Sequence, residues 1–308
     1  MLRVRFLDTS AKIPLESHFF VLLLKDYFEY EVEVVQNTRA EVDFEFVSNA
    51  IEVSYPKKLL LRSFAQLSPK VMETYYKMFR LGFREVYSTK AQKRIWFTGE
   101  NLRAPSGIFD ATFSFDTTDS NKKNVFFPYW FYRCNWFAGI GRYEIEEKVE
   151  NLLLPREPVR REKRVLTFSS EYEILRLKII DAVKAVLPVD CYGHFYGNFA
   201  KSKYEVSSNY GLQICNENDL FPNYVTEKLQ ESWICRNVPI WAGIDDFGFF
   251  NKEAMLDVTG LSTLEISDRI SKITLDEIMY RQGQPLLLRE PKLDETKIAF
   301  KRLLSSNV

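Results

Sequence analysis

The stretch from Val165 to Tyr192 reads VLTFSSEYEILRLKIIDAVKAVLPVDCY, and its pattern decides the fold class. Short apolar runs at its two ends, Val165–Phe168 and Val189–Tyr192, predict β-strands. Between them, Glu171–Val186 has the length and apolar spacing of an α-helix that stops before Pro188. A strand, a helix and a second strand in this order predict a βαβ unit with both strands parallel in one sheet. Ligands of such sheets bind at the carboxyl ends of the strands.

The same alternation continues in both directions from this unit. Downstream, Tyr210–Cys215 and Val238–Trp241 predict strands on either side of a helix at Tyr224–Cys235. The strands predicted in the first half are Leu2–Leu7, Glu31–Val35, Val42–Val47, Arg94–Thr98 and Ala111–Phe115. The helices predicted there are His18–Phe28 and Pro69–Phe83. The sequence therefore predicts an α/β protein with two Rossmann-like halves that face a cleft.

A charged run with two prolines separates the two halves. It extends from Asn151 to Arg164, and its composition is typical of an interdomain linker. We interpret its basic side chains as a solvated hinge rather than as ligand contacts. The predicted domains are therefore 1–155 and 156–308.

Composition excludes several classes of protein. Lys and Arg together number 42, as do Asp and Glu, so the chain lacks the positive excess of a nucleic-acid-binding protein. Its four cysteines form no CxxC pair, which disfavours a zinc site and a disulfide scaffold. The segment Met1–Phe6 lacks the apolar core of a signal peptide, and the run Phe19–Leu24 is too short to span a bilayer. These features predict a cytoplasmic protein.

The predicted helix Tyr224–Cys235 carries a candidate phosphate site. Asn223 has the side chain of an N-cap, and the first turn of a helix offers free N–H groups to an anion. Tyr224, Glu227 and Lys228 fall on one stripe, away from the apolar stripe of the helix. Lys228 adds a full positive charge, and Glu227 could accept hydrogen bonds from sugar hydroxyls. On spacing alone, an ordinary surface pair of Glu227 and Lys228 is the favoured interpretation, because such pairs are common on helices.

Other nucleotide-binding and metal-binding patterns are missing. The sequence has no GxxxxGK[ST] motif and no GxGxxG after a strand, which disfavours P-loop enzymes and dinucleotide-dependent enzymes. Asp43 and Glu45 alternate with apolar residues and are interpreted as the wet face of a strand. No Asp-x-Asp pair follows a strand in a suitable setting, so we expect neither a metal nor any other required cofactor. Cationic side chains, with Arg176 as a candidate clamp, would then have to neutralise a leaving diphosphate.

Three segments together resemble the signature of a known enzyme family. They are Cys215–Asn218, Tyr224–Lys228 and Val238–Gly243, and their sequences and spacing are similar to the signature block of the α-1,3/4-fucosyltransferases (glycosyltransferase family ten). The stretches Leu175–Gly193 and Trp96–Asn101 also resemble segments of that family. The resemblance implies a fold of the GT-B type, with GDP-fucose in the C-terminal domain and the acceptor on the N-terminal one.

The resemblance also implies roles for individual residues. By position, Arg176, Tyr224, Glu227 and Lys228 would contact GDP-fucose, and Asn218 is a weaker candidate for the same site. Glu100 would be the general base of an inverting transfer of L-fucose from GDP-β-L-fucose to an acceptor glycan, at the 3-OH of GlcNAc or Glc. The alternative interpretation of Glu100 is a loop carboxylate that caps a helix.

The chain departs from the family pattern at two positions and leaves two alternatives open. Asn216 stands where Phe is usual, and Ser114 stands where Gly is common. One alternative is a transferase of the same fold that uses another nucleotide sugar. The other is a glycan-binding module without catalytic activity. Linkage and acceptor are not specified by these residues.

Overall fold

The computed structural model describes residues 1–7, 14–37, 39–48, 90–104, 107–119, 123–137, 143–170 and 173–305. The chain forms two compact units. Unit 1 comprises Met1–Phe127 together with Leu293–Val308, and unit 2 comprises Pro128–Lys292. The predicted boundary between residues 155 and 156 falls inside unit 2. The predicted helix Pro69–Phe83 lies outside the described residues.

Unit 1 is built on a six-stranded sheet in which neighbouring strands are parallel. Its strands are β1 (Leu2–Leu7), β2 (Val32–Val34), β3 (Glu41–Val47), β4 (Lys90–Phe97), β5 (Ala111–Ser114) and β6 (Asn124–Phe126). They lie in the order β2-β1-β3-β4-β5-β6. The predicted strands overlap β1 to β5, whereas β6 was not predicted.

Unit 2 contains a second parallel sheet. A short pair, β7 (Cys134–Asn135) and β8 (Glu147–Lys148), precedes it. The strands of the sheet are β9 (Val165–Phe168), β10 (Val189–Tyr192), β11 (Leu212–Ile214), β12 (Val238–Trp241) and β13 (Leu256–Asp257). They lie in the order β10-β9-β11-β12-β13. The predicted βαβ unit is confirmed, because β9 and β10 are parallel neighbours.

The helices of the described chain fall in both units. They are α1 (Phe19–Leu22), α2 (Tyr129–Tyr132), α3 (Val149–Leu152), α4 (Ile174–Lys184), α5 (Lys203–Ser207), α6 (Glu227–Ile234), α7 (Thr263–Lys272), α8 (Leu275–Gly283) and α9 (Asp294–Ser305). Short 3-10 turns occur at Leu15–Ser17, His194–Tyr196 and Lys252–Ala254, and a π-helical turn follows α1 at Leu23–Tyr27. The predicted helix His18–Phe28 is thus only partly α-helical.

An aromatic core explains why the C-terminal helix belongs to unit 1. The ring of Phe20, on α1, lies 4.8 Å from that of Phe46 and 5.1 Å from that of Phe113. Phe300, on α9, completes the cluster at 5.6 Å from Phe20. All four side chains are fully buried. Because large aromatic rings dominate the energy of burial, this contact holds α9 against the first sheet.

A buried ion pair corrects the interpretation of Glu45. Glu45 is fully buried, not on a wet face, and Arg5 beside it is buried as well. Nη2 of Arg5 lies 2.6 Å from Oε2 of Glu45, and Nε of Arg94 lies 3.3 Å from Oε1. Asp43, on the same strand, is only half-buried. The exposed face predicted from the alternation was right for Asp43 and wrong for Glu45. Glu45 can be buried because two arginines pair with its carboxylate.

The segment between the two predicted domains is clamped to unit 2 rather than solvated. The guanidinium of Arg156 stacks 3.5 Å from the ring centre of Trp233, and its Nε donates to the carbonyl oxygen of Gln282 at 3.0 Å. Arg161 donates from Nη1 to the carbonyl oxygen of Cys235 at 2.6 Å. The interpretation of these residues as a solvated hinge was therefore wrong. The composition of a segment does not indicate stacking and carbonyl contacts of this kind.

Two further features bear on the sequence analysis. The four cysteines, Cys134, Cys191, Cys215 and Cys235, are all free, and Cys191 alone of them is only partly buried. Across the described ranges, no helix is both long enough and apolar enough to cross a bilayer.

Candidate functional site

The strand order of unit 2 indicates where a ligand would bind. From β9 the chain continues to β10 on one side of it, whereas from β11 it continues to β12 on the opposite side. The carboxyl ends of β9 and β11 therefore form the switch point of the sheet, which is the usual ligand crevice of such folds. Ser169 follows β9, and Asn216 and Glu217 follow β11 within two or three residues.

Arg176 lies in the first turn of α4 and is anchored over this switch point. Arg176 as a whole is only 3% exposed. Nη1 donates to Oγ of Ser169 at 2.5 Å, and Nε donates to Oδ1 of Asn216 at 3.2 Å. Nη2 lies 2.9 Å from Oε2 of Glu173 and donates to Oδ1 of Asn218 at 3.5 Å. From its position in the sequence alone, an exposed Arg176 was the favoured interpretation. The structure instead buries the side chain and fixes the guanidinium through four polar neighbours.

The departure at Asn216 has a structural consequence. Asn216 is fully buried, and its amide oxygen is one of the acceptors that fix Arg176. Its Nδ2 donates to the carbonyl oxygen of Glu217 at 2.9 Å. A phenylalanine at this position could make neither bond. The polar residue therefore binds the guanidinium in a way that the usual aromatic residue cannot.

Glu217 connects the end of β11 to the start of α6. Its carboxylate is fully buried and accepts hydrogen bonds from the backbone N–H of Thr226 at 3.0 Å and from its hydroxyl at 2.7 Å. Nζ of Lys228 lies 3.6 Å from the same carboxylate and donates to Oγ1 of Thr226 at 2.9 Å. Burial raises the pKa of Glu217 above its ordinary value, although Lys228 and Thr226 oppose that rise. Lys228 is therefore held by two partners at the first turn of α6.

The start of α6 differs from the prediction. The helix begins at Glu227, with Thr226 rather than Asn223 as its N-cap residue. Asn223 has a positive φ of 59°, and its side-chain oxygen accepts hydrogen bonds from the backbone N–H groups of Asp246 and Phe247. Tyr224 therefore precedes the helix and is only 1% exposed, not on an exposed stripe. The spacing argument assumed that the helix runs continuously from Asn223. In the structure, the carboxylate of Glu217 binds the backbone N–H and the hydroxyl of Thr226, and the helix begins only at Glu227.

Glu227 lies among cations that the sequence analysis missed. Its side chain is half-buried. Burial opposes the ionisation of Glu227, but the charges of Lys228, Arg133 and Lys203 outweigh this effect and lower its pKa to about 2. Arg133 and Lys203 also pair with Glu231, at 2.5 and 3.2 Å. Arg133 and Lys203 are far from α6 in sequence, so no local motif could have indicated them.

The predicted base lies in the other unit. Glu100 follows β4 in unit 1 and its side chain is exposed. Its backbone N–H donates to Oγ1 of Thr98 at 3.0 Å, and that hydroxyl donates to the carbonyl oxygen of Glu100 at 2.8 Å. Glu100 thus lies in a turn directly after β4. Ser114, the second departure, donates from Oγ to Oδ1 of Asn124 at 2.8 Å.

The unit 2 arrangement is suited to an anion with two charged groups. Arg176 and Lys228 lie on either side of the switch point, and each is oriented by polar contacts before any ligand binds. The dipole of α6 is favourable to an anion at its first turn. Among the side chains that the structure describes, no group of three or more His, Cys, Asp or Glu could hold a metal ion.

Residues 159–282 match the model of a protein family described as "Glycosyltransferase family 10 (fucosyltransferase) C-term". This segment is therefore similar to the C-terminal domain of family 10 fucosyltransferases. All of the predicted donor contacts lie within it, and the resemblance that was read from the signature segments is confirmed.

A curated relative is similar to part of the chain. The chain is 26% identical over 187 residues to "Alpha-(1,3)-fucosyltransferase FucT" of Helicobacter pylori. The match covers 52% of this chain and spans 39% of the length of that relative.

Solved structures show the fold. The chain is similar to a crystal structure of an alpha1,3-fucosyltransferase with GDP-fucose, with a TM-score of 0.67 and 17% identity. A second structure, with GDP, gives a TM-score of 0.64 and 18% identity. In both cases the match covers 100% of this chain and 91% of the other. The predicted fold class, α/β of the GT-B type, is confirmed.

Proposed function

We propose that this chain is an α-1,3-fucosyltransferase that moves L-fucose from GDP-β-L-fucose to a hydroxyl of an acceptor glycan. The observation that carries the proposal is the placement of Arg176 and Lys228 at the switch point of a family 10 domain. A parallel sheet binds its ligand at that point, and two oriented cations match a diphosphate. Unit 2 would therefore take the donor, and unit 1 the acceptor.

The donor contacts follow from the chemistry of the side chains. Arg176 and Lys228 would neutralise the diphosphate, and the ionised Glu227 would accept hydrogen bonds from ribose or sugar hydroxyls. Asn218 reaches the guanidinium of Arg176, so it would bind the same end of the donor. Tyr224 is buried beside the start of α6, where its ring would pack under the nucleotide rather than stack on it from solvent.

Transfer would proceed by direct displacement with inversion at the anomeric carbon. Glu100 would take the proton of the acceptor hydroxyl, most simply the 3-OH of GlcNAc or Glc, as that oxygen forms the new glycosidic bond. The bond between the anomeric carbon and the β-phosphate oxygen would break at the same time, and GDP would leave with its charge stabilised by the two cations. We propose that these cations act without a metal ion, which transfer in the presence of a strong chelator would test.

The setting of the reaction is part of the proposal. The four cysteines are free, which fits a reducing compartment such as the cytoplasm and a role in glycan biosynthesis there. We propose no nucleic-acid partner, since the chain has equal numbers of acidic and basic residues.

A glycan-array transfer assay with GDP-fucose tests this function. We expect fucose to be added to oligosaccharides that contain GlcNAc or Glc, with methylation analysis placing it on the 3-OH. A parallel panel of GDP-sugars and UDP-sugars shows which donor is used. Transfer from another donor alone would support a different nucleotide-sugar transferase of the same fold. Binding of GDP-fucose without transfer or hydrolysis would support a catalytically silent module.

A further inference from the structure

Two carboxylates lie on the same face of α6. Glu227 and Glu231 are four residues apart, so their side chains are neighbours on the helix surface. Like charges at this spacing repel each other, and the repulsion grows where burial removes water. Glu231 is only 8% exposed, and Glu227 is half-buried. Both can therefore stay charged only if other elements bring cations to this face.

Arg133, directly after α2, brings the first cation. Its Nη2 lies 2.5 Å from Oε1 of Glu231, and the two side chains are 13% and 10% exposed. The guanidinium carbon lies 3.7 Å from the ring centre of Tyr143, and the carbonyl oxygen of Arg133 accepts a hydrogen bond from Nε2 of Gln230 at 3.2 Å. All of these residues belong to unit 2. The charge of Arg133 is thus fixed beside α6, where water screens it poorly.

Lys203, the first residue of α5, brings a second cation to the same carboxylate. Its Nζ lies 3.2 Å from Oε2 of Glu231, and its side chain is 47% exposed. Solvent therefore weakens its charge more than that of Arg133. Because two cations face one carboxylate, Arg133, Lys203 and Glu231 together carry one excess positive charge. A purely structural clamp between α2 and α6 would need only one of the two cations.

The excess charge acts on Glu227, one turn earlier on α6. Burial opposes the ionisation of this carboxylate, but the charges of Lys228, Arg133 and Lys203 outweigh burial and lower its pKa to about 2. The other titratable groups that face it are Glu231 on α6, Glu217 after β11 and Tyr129 on α2. None of these three groups adds positive charge, so the ionisation of Glu227 depends on the cations.

Donor binding increases that dependence on Arg133. Lys228 already shares its charge with Glu217 at 3.6 Å, and in the proposed function it also binds the diphosphate. The negative charges of a diphosphate beside Lys228 would oppose the ionisation of Glu227. Arg133 and Lys203 are then the cations that offset this opposition.

We propose that Arg133, supported by Lys203, is a positioning residue that keeps the carboxylate of Glu227 ionised while the donor is bound, an inference that rests on the proposed function. Arg133 acts through Glu227 and does not need to touch the donor. An ionised carboxylate accepts hydrogen bonds from hydroxyl groups with both oxygens, whereas a protonated one loses part of this capacity. Arg133 therefore extends tight donor binding to acidic pH.

The pH dependence of donor affinity tests this role. Arg133→Gln removes the charge, and Arg133→Lys keeps it. Arg281→Gln is the matched control, because the side chain of Arg281 is 14% exposed and pairs with Glu277 on α8 at 2.9 Å. Calorimetry from pH 4 to pH 8 gives the Kd of GDP-fucose, whose phosphates are both esterified and keep their charge in this range. The ratio of the Kd of each variant to that of the wild type cancels groups that titrate in both proteins.

We expect this ratio to rise about tenfold for Arg133→Gln as the pH falls from 7 to 4, because Glu227 becomes protonated in the variant and stays ionised in the wild type. For Arg133→Lys and for Arg281→Gln the ratio should stay constant. In a Glu227→Gln background, Arg133→Gln should add no pH-dependent loss, since the group through which it acts is missing. A ratio that does not change with pH, or the same rise in the Glu227→Gln background, overturns the proposal and leaves Arg133 a structural clamp.

Folding is checked by the thermal unfolding midpoint at each pH. If Arg133→Gln does not fold at pH 4, Lys203→Gln decides in its place, because Lys203 is half-exposed and its substitution disturbs the fold less. Its ratio should rise in the same direction by about twofold, since solvent screens this charge, and a constant ratio overturns the proposal. Failure of the wild type to bind GDP-fucose refutes the proposed function instead, and this result needs no variant.

Discussion

The carboxylate of Glu217 lies 3.6 Å from the ammonium group of Lys228, and it has no contact with solvent. Both groups also bind the same Thr226 hydroxyl, which makes a closed arrangement of three side chains at the start of α6. Desolvation disfavours the charged carboxylate, while the ammonium and the two Thr226 bonds favour it. The balance raises the pKa of Glu217, so its ionisation in the folded protein has a cost.

This cost predicts a pH dependence of stability. Between the ordinary pKa of glutamate and its raised pKa in the fold, folding takes up a proton at Glu217, so the free energy of unfolding falls as pH rises through that window. Glu217→Gln carries no titrating group at this position and should lack that component. Urea unfolding of both proteins from pH 4.5 to pH 8 measures it. Parallel curves for the two proteins would contradict the assignment.

Glu227 should show the opposite sign. Its pKa is lowered to about 2 by the surrounding cations despite burial, so it contributes stability that is present above the ordinary pKa of glutamate and lost as pH falls toward 2. We expect Glu227→Gln to be less stable than the wild type by about 3 kcal/mol near pH 7, with the difference shrinking below pH 4. Urea unfolding at a series of pH values measures this difference. An equal loss of stability at pH 7 and pH 3 would show that the substitution acts through packing instead.

Lys228 is predicted to be a direct determinant of GDP affinity. Removal of its ammonium in Lys228→Ala should weaken GDP binding by about 1.5–3 kcal/mol, the scale of a hydrogen bond to a charged group. Lys178→Ala is the matched control, because Lys178 is exposed on α4, the helix that carries Arg176. Calorimetry at fixed pH and salt measures both. Equal affinities of the Lys228 variant and the wild type would remove the lysine from the site.

Local patterns predicted the strands of unit 2 well and the start of α6 badly. The bounds of β9, β10 and β12 agree with the predicted strands, because each is a short apolar run between clear turns. The N-terminus of α6 was misplaced because Thr226 is captured by Glu217, which lies nine residues earlier. A contact between residues nine apart leaves no mark in the periodicity of a helix. The sequence spacing therefore could not show that Tyr224 precedes the helix.

The same distinction applies to charged residues. Arg176 and Lys228 could be proposed because they belong to short recognisable segments, whereas Arg133 approaches Glu231 across 98 residues of sequence. Glu45 was taken for a surface residue because its arginine partners come from two other strands. Charge pairing between distant segments is a property of the tertiary structure, and a single sequence does not encode it in a readable spacing.

The buried ion pair of unit 1 predicts a large effect on stability. Glu45→Ala would leave Arg5 buried without its main counter-ion, and breaking a buried pair in this way typically costs about 3–5 kcal/mol. Glu41→Ala, on the same strand, removes an exposed partner of Lys90 and should cost less than about 1 kcal/mol. Urea unfolding of both variants makes the comparison. Similar losses in the two would show that Arg5 finds another partner or water when Glu45 is removed.

The role of Glu100 can be tested separately from that of the proposed donor site. Glu100 lies in a different unit and is exposed in a turn held by Thr98. If it is the base, Glu100→Gln should abolish fucose transfer, because an amide cannot accept the acceptor's proton, while GDP affinity stays close to that of the wild type. The substitution keeps the size of the side chain and the backbone contacts to Thr98, so the turn should be preserved. Single-turnover transfer and calorimetry on the same preparation test the two halves of the prediction. Retained turnover would assign proton removal to another group, and loss of GDP binding would show that the change disturbs the fold rather than the chemistry.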